Sequence, residues 1–303
     1  MSRPADPAAP RRPLRAALLV RLQSFLAWRL ERLPWNGAQK LGGSLGALAW
    51  RFSRRDRRRT LAHLAIAFPG ITAAQRTALA RRSYLHFGTM LGESLWLTRH
   101  SADDVRRLVE LHGWEAVEAA RAEGRPVIIV TGHCGNWELL AAALNLHGLG
   151  MSVVARGLHE KGLQEILLAL RARFGTRTIV RGTPGAAREL LRVLRGSGAL
   201  GILIDQDTDV EGVWANFFGR PAWTPVGAAE LALRFHAVVL PTFIERRSDG
   251  THVARIEPRL ELAADPVAAT QQMTDRIETQ IRRVPEQWVW MHRRWRRQPP
   301  SNA

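Results

Sequence analysis

Positions 127–130, Val127-Ile128-Ile129-Val130, are apolar with no polar alternation. A run without a polar face predicts a strand covered on both sides, as in a parallel sheet. It stops at Thr131-Gly132, and an alanine- and leucine-rich helical pattern follows over 136–146. Further on, short apolar runs at 151–155, 177–180, 199–204 and 237–243 alternate with helical patterns over 160–173, 184–195 and 225–235. That rhythm predicts an α/β fold, with a mostly parallel central sheet flanked by helices. Residues 251–257 (THVARIE) alternate and are expected to add an antiparallel edge strand. Upstream, Thr72-x-x-Gln75 opens a capping box for a helix reaching about position 97, and a shorter helix over 114–122 stops at Gly124. Downstream, Asp265-Pro266 sets an N-cap ahead of an N1 proline. The helix it begins carries Val267, Met273, Ile277, Ile281 and Val284 on one stripe, expected to face the core.

The first 59 residues break this rhythm. Residues 1–13 are rich in proline, alanine and arginine and predict a disordered N-terminus, matched by a short disordered tail over 298–303. Over 14–33 the chain is leucine-rich with Phe25 and Trp28, but a helical wheel places Arg15, Arg29 and Arg32 among the leucines. Residues 35–52 are apolar and glycine-rich, and a basic run from Arg54 to Arg59 follows. Aromatic residues beside a polybasic block suit the surface of an anionic membrane. The alternative is a helical hairpin packed on the domain that follows. The expected organisation is a membrane-associating helical segment over 14–59 and one domain over 60–297. The longest stretch without Asp, Glu, Lys or Arg is 17 residues, 139–155, interrupted by Asn145, His147 and glycines. A bilayer crossing needs roughly 20 apolar residues. Arg15, Arg21 and Arg29 likewise interrupt any signal-peptide core.

Charge adds a second asymmetry. The chain has 303 residues and a formal net charge of +17. Residues 1–59 hold 14 basic and 3 acidic side chains, so +11 of that excess lies in the first fifth. Arg282, Arg283, Arg293, Arg294, Arg296 and Arg297 form a second cluster. Anionic lipid, nucleic acid or an acidic carrier protein would match such a surface. No zinc finger or ribonucleoprotein motif accompanies the charge, so nucleic acid is not an expected partner. A single cysteine, Cys134, excludes an intramolecular disulfide.

Reactive side chains gather in the loop after the 127–130 run. His133 falls in the turn and Glu138 in the first helical turn, at the sheet edge where open α/β folds bind ligands. Free N–H groups and the helix dipole favour negative charge there. His-x4-Glu spacing is weak alone, because His252/Glu257 repeats it. That second pair lies in an expected strand, where residues five apart point to opposite faces. A neutral imidazole can take a proton from a hydroxyl near neutral pH. A carboxylate on its other ring nitrogen fixes the tautomer and steadies the imidazolium. With no obvious protein nucleophile, the substrate supplies the hydroxyl. Direct acyl transfer from a thioester fits, with helix-start N–H groups for the oxyanion. Cys134 offers a rival mechanism as a thiol nucleophile, although adjacent residues point apart and His133 is badly placed to deprotonate it. Zinc lacks ligand spacing, and no metal or cofactor is expected.

Gly132-His133-Cys134-Gly135-Asn136-Trp137-Glu138 resembles the His-x4-Asp/Glu box of the lipid A biosynthesis acyltransferase family, the late lauroyl- and myristoyl-transferring enzymes of lipopolysaccharide assembly. Similar blocks follow in order: Asp205-Gln206-Asp207, Phe217-Phe218-Gly219 with Thr224, Pro241 with Arg246, and the ending Pro285-Glu286-Gln287-Trp288-Val289-Trp290-Met291-His292-Arg293-Arg294-Trp295. The resemblance covers about residues 14–297. It implies a glycerol-3-phosphate acyltransferase-like fold and an acyl-carrier-protein thioester as co-substrate. It also implies a lipid A precursor, an anionic glycolipid, as acceptor at the cytoplasmic face of the inner membrane. By that resemblance His133 is the base and Glu138 its partner, and Cys134 matches no required cysteine. Candidate substrate contacts are Asn136, Arg156, Asp205, Gln206 and Arg246. Arg156 would present a planar fork to a substrate phosphate. Asp205, ending the 199–204 run, would pin the His133 loop or an acceptor hydroxyl. Trp288, Trp290 and Trp295 are expected either to grip lipid or to pack in the core. Two alternatives stay open: an acyl-CoA-dependent acyltransferase for another glycolipid such as a phosphatidylinositol mannoside, and a non-enzymatic basic protein binding membrane or nucleic acid.

Overall fold

The structure is a computed structural model that describes residues 28–30, 32–157 and 160–300. The expected disordered N-terminus, most of the 14–33 helix and the end of the tail lie outside the described residues. The apolar, glycine-rich stretch forms α1 (Trp35–Phe52), and the basic run begins α2 (Arg54–Ala67). Next comes α3 (Ala73–Leu97), opened by the expected box: Thr72 Oγ1 accepts from the Gln75 N–H at 3.2 Å and Gln75 Oε1 from the Thr72 N–H at 2.8 Å. Glycine lets α1 approach α3 backbone to backbone. A Cβ on Gly46 would stand 2.2 Å from the Tyr84 carbonyl oxygen, and one on Gly88 would stand 2.3 Å from that of Gly42. The opposite face of α1 leaves Leu48 and Phe52 exposed. No helix among the described residues is long and apolar enough to cross a membrane.

The alternating part follows in chain order as α4 (Ala102–Leu108), β1 (Val109–His112), α5 (Trp114–Ala122), β2 (Val127–Thr131), α6 (Trp137–Leu146), β3 (Ser152–Arg156), α7 (Lys161–Arg173), β4 (Arg177–Arg181), α8 (Ala186–Arg195) and β5 (Ala199–Leu203). It continues with β6 (Gly212–Phe217), β7 (Arg220–Pro225), α9 (Gly227–Arg234), β8 (Val238–Arg246), β9 (His252–Ile256) and α10 (Pro266–Arg283). Seven strands form one sheet in the order β1-β9-β8-β2-β5-β3-β4, which puts β2 at its centre. From β8 to β4 the strands run parallel. β9 is antiparallel to β8, as expected, but it is not the edge. The short strand β1 pairs with its far side, Val109 opposite His252. β6 and β7 form a separate hairpin turned by Phe218 and Gly219, both at positive φ.

All five residues of β2 are buried. Val127 and Ile129 pack with Leu139 and Leu140 of α6, whereas Ile128 and Val130 pack with Met273, Ile277 and Ile281 of α10. Burying each such aliphatic side chain favours the fold by roughly 1.5–3 kcal/mol, which is why the central strand tolerates no polar position. Asp265 caps α10 through the Ala268 N–H at 2.8 Å, ahead of Pro266. Its stripe faces the core at Met273, Ile277 and Ile281, while Val267 in the first turn is exposed.

Candidate active site

The carboxyl edge of the parallel strands carries the site. β2 ends at Thr131, and Gly132–Asn136 turns the chain into α6. Gly135 holds φ +62°, and a Cβ there would lie 2.0 Å from the Ile244 carbonyl oxygen, so the loop needs glycine at that point. His133 projects from this turn with its side chain 22% exposed. Its Nδ1 lies 2.7 Å from Asp205 Oδ1, just past the end of β5. Asp205 Oδ2 accepts the His133 backbone N–H at 2.8 Å and the Trp288 indole N–H at 2.7 Å. A carboxylate only accepts, so the ring must donate from Nδ1–H, and the neutral tautomer that this selects carries its lone pair on Nε2. Burial alone would raise the Asp205 pKa. The charge and hydrogen bonds of His133, with the Trp288 N–H, instead hold it well below the usual carboxylate range.

Here the structure corrects the expected pairing. Glu138 does not meet His133; Arg171 of α7 grips its two oxygens at 2.8 and 2.7 Å. The reason is helical phase. Trp137 opens α6 and sets its ring edge-on to His133, with centroids 4.9 Å apart. The next residue lies about 100° further round the axis, on the side facing α7. The carboxylate at the ring is Asp205, expected to pin the loop and found holding both the loop backbone and the imidazole.

Two other expected contacts, Asn136 and Arg246, bond within the protein. Asn136 is fully buried: Oδ1 caps the Leu139 N–H at 3.1 Å, and Nδ2 donates to Glu93 at 3.0 Å. The Arg246 guanidinium is held by partners within the protein, with its side chain 13% exposed. It forks onto the fully buried Glu93 at 2.6 and 2.8 Å and donates to His86 Nδ1 at 2.6 Å. Its strand, β8, ends against α3, which carries both partners. Burial would raise the Glu93 pKa, yet His252 and Arg246 hold it below the usual range. His252 Nε2 stands 3.5 Å from Glu93, a close approach without hydrogen-bond geometry. Gln206 is half-buried and its side chain meets no partner among the described residues. Arg156 is exposed at the end of β3. Glu257 pairs with Arg276 and stays apart from His252, so the second His-x4-Glu spacing builds no pair.

The C-terminal segment contributes what spacing did not reveal. Trp288 and Trp290 are core residues, 2% and 0% exposed. A buried indole must place its N–H, and that of Trp288 goes to Asp205. His292 also lies near the pair. Burial, offset by the pull of Asp205 and reinforced by His133 and Arg294, lowers its pKa to about 4. Arg294 is fully buried over the Phe217 ring and donates to Thr224 Oγ1 at 2.6 Å, tying the tail to the hairpin.

Cys134 lies in the core, 2% exposed, and burial followed by the Asp205 charge raises its thiol pKa well above the usual range. A buried neutral thiol is a poor nucleophile. Cys134→Ser is therefore expected to keep most activity in a turnover assay, and complete loss in a folded protein would revive the thiol mechanism.

Three histidines, His63 and His86 buried and His292 half-buried, predict an acid response. Burial lowers the pKa of His63, lowers that of His86 to about 3, and lowers that of His292 to about 4. Above pH 6.5 each is neutral in both folded and unfolded chains. Below it the unfolded chain binds protons that the folded one refuses, so stability falls with pH, by up to about 1.4 kcal/mol per pH unit for each group. The loss runs from about pH 6.5 down to about 4 for His292 and to about 3 for His86. Tm measured from pH 8 to pH 4 should fall before carboxylates titrate, and a flat Tm down to pH 5 would refute this.

Fold and site together define an α/β protein with a carboxylate-tethered, partly exposed histidine at the carboxyl edge of a parallel sheet. The family profile described as bacterial lipid A biosynthesis acyltransferase matches residues 11–297, so the chain belongs to that family and is an O-acyltransferase. It is 28% identical over 271 residues to a lipid A biosynthesis acyltransferase of Haemophilus influenzae, covering 88% of this chain and 84% of that one. To the lipid A biosynthesis palmitoleoyltransferase of Escherichia coli K12 it is 26% identical over 282 residues, 91% of this chain and 90% of that one. A phosphatidylinositol mannoside acyltransferase of Mycobacterium tuberculosis is 30% identical over 189 residues, 60% of this chain and 58% of that one.

Proposed function

We propose that this chain moves a fatty acyl group from acyl-carrier protein to a hydroxyl of a lipid A precursor, by direct transfer with His133 as general base. The observation that carries the reading is the Asp205-locked tautomer, which leaves Nε2 of a partly exposed His133 as the proton acceptor. The acceptor hydroxyl gives its proton to Nε2 as its oxygen bonds to the thioester carbonyl carbon. The tetrahedral intermediate then expels the thiolate, and the imidazolium returns the proton to that sulfur. The first-turn N–H groups of Trp137 and Glu138 have no intrahelical acceptor and are the proposed donors to the oxyanion. Asp205 orients and steadies the imidazolium, while Glu138, through Arg171, fixes α6.

The lipid A acceptor is preferred over a mannoside because the lipid A relatives match nearly the whole chain, whereas the mannoside match covers 60% of it. A cytoplasmic-side location on an anionic inner membrane is supported by α1 and α2, where exposed Leu48 and Phe52 adjoin exposed Arg51, Arg54 and Arg55. The test is transfer by the purified protein from acyl-carrier protein and from acyl-CoA, each to a lipid A precursor and to a mannoside lipid, with products mapped by mass spectrometry. The lipid A precursor should be acylated from the carrier protein. Transfer only to the mannoside lipid would replace this reading.

A further inference from the structure

A cavity of about 290 Å³ has His292 and Asp207 on its wall, the latter two residues past Asp205. Four of its lining residues are arginines, Arg59, Arg156, Arg293 and Arg296, facing two carboxylates, Asp207 and Asp209. Pairing removes most of that charge. Arg296 reaches Asp207 at 3.1 Å and Asp209 at 2.7 Å, and Arg297 adds contacts to the same two carboxylates at 3.4 and 2.7 Å. Arg59 pairs with Asp56 at 2.9 Å and donates to the Met291 carbonyl at 2.9 Å. Arg156 and Arg293 are different: both are exposed, and neither has a carboxylate partner among the described residues. Two uncompensated guanidinium forks, one from the end of β3 and one from the C-terminal segment, thus rim one polar pocket.

The inner wall adds a second observation. His292 Nδ1 is buried without a hydrogen-bond partner. An orphaned buried nitrogen in a native fold calls for a ligand or water. His292 also feels the charges of both Asp205 and His133, which places this wall of the pocket near the pair.

We infer that this cavity binds a phosphate ester of one of the two substrates, with Arg156 and Arg293 taking its oxygens and His292 contacting the group between the phosphate and the reacting centre. Guanidinium forks match phosphate oxygens with paired N–H donors, and two forks from separate segments can hold the anionic oxygens of a phosphate ester from two sides. The inference rests on the acyl-transfer reading above. Its phosphate comes either from the acceptor's sugar or from the phosphodiester of a pantetheine thioester.

The test compares the full-length protein with Arg156→Gln, Arg293→Gln and the double variant. Both side chains are exposed and unpaired, so Tm should stay near that of the parent. The double variant should lose at least tenfold of its kcat/KM preference for phosphorylated over phosphate-free substrate, mainly through KM. If the loss appears with a dephosphorylated acceptor as the comparison, the sugar phosphate is the ligand. If it appears with acyl-N-acetylcysteamine as the phosphate-free donor, the pantetheine phosphate is. An unchanged preference for both substrates overturns the proposal and leaves acyl transfer standing. Inorganic phosphate titrated by calorimetry decides the site independently of turnover. Saturable binding lost in the double variant supports it even if no acyl transfer is found, and no binding, or equal binding by both proteins, overturns it.

Discussion

Asp205→Asn should lower kcat by up to about 10⁴-fold, the scale of the same change in a serine-protease triad. Three N–H groups converge on this carboxylate: the His133 ring, the His133 backbone and the Trp288 indole. An amide has one accepting oxygen. Two of the three donors share Oδ2, so the amide oxygen stays with them and the NH₂ turns to His133 Nδ1. The imidazole must then accept there and carry its proton on Nε2, the nitrogen needed as base. Tautomer, not just charge, is lost. His133→Ala should cost about 10²–10⁴-fold, the usual contribution of a general base. Steady-state transfer assays check both, and an Asp205→Asn enzyme within tenfold of the parent would show that the pair does not work this way.

Glu138→Gln should fail differently. Glu138 and Arg171 form a bidentate pair with side chains 6% and 12% exposed. Removing one partner of a buried ion pair costs roughly 3–5 kcal/mol, because the other charge is left uncompensated. The variant should therefore unfold at lower temperature, and its activity should fall with the fraction folded. Adding Arg171→Gln removes the stranded cation, so the double variant should regain stability and activity together. A carboxylate that oriented the base would give the opposite pattern: unchanged Tm, lost kcat and no rescue. Thermal melts and kinetics on the three proteins separate the two.

These two residues also show what sequence can reach. The apolar β2 run, the Thr72 and Asp265 caps and the strand–helix rhythm are local signals, and each formed the element expected. The loop carrying His133 was legible for the same reason. The partner of His133 was not, because Asp205 is 72 residues away and spacing cannot say which carboxylate closes on a ring. Its position after an apolar strand at the ligand-binding edge was the available clue. Elements held by distant partners were also missed. β1 has four residues of mixed polarity and exists through its pairing with β9. The β6–β7 hairpin turns on Phe218-Gly219, where Gly219 was the usable signal and Phe218 at positive φ was a poor one. Ser101-x-x-Asp104, a complete capping box for α4, is a local signal of the same kind. Glu93 and Arg246 gave no pattern, since their pairing joins residues 153 positions apart.

Proton transfer to His133 requires Nδ1 to be tied to Asp205 while Nε2 stays bare. ¹⁵N NMR of histidine-labelled protein at pH 7.5, with His133 assigned by difference against His133→Gln, measures this directly. A protonated Nδ1 and an unprotonated Nε2, changing on Asp205→Asn but not on the Glu138→Gln/Arg171→Gln double replacement, is the predicted result. A proton on Nε2, or a spectrum that ignores Asp205 and responds to that double replacement, would contradict it.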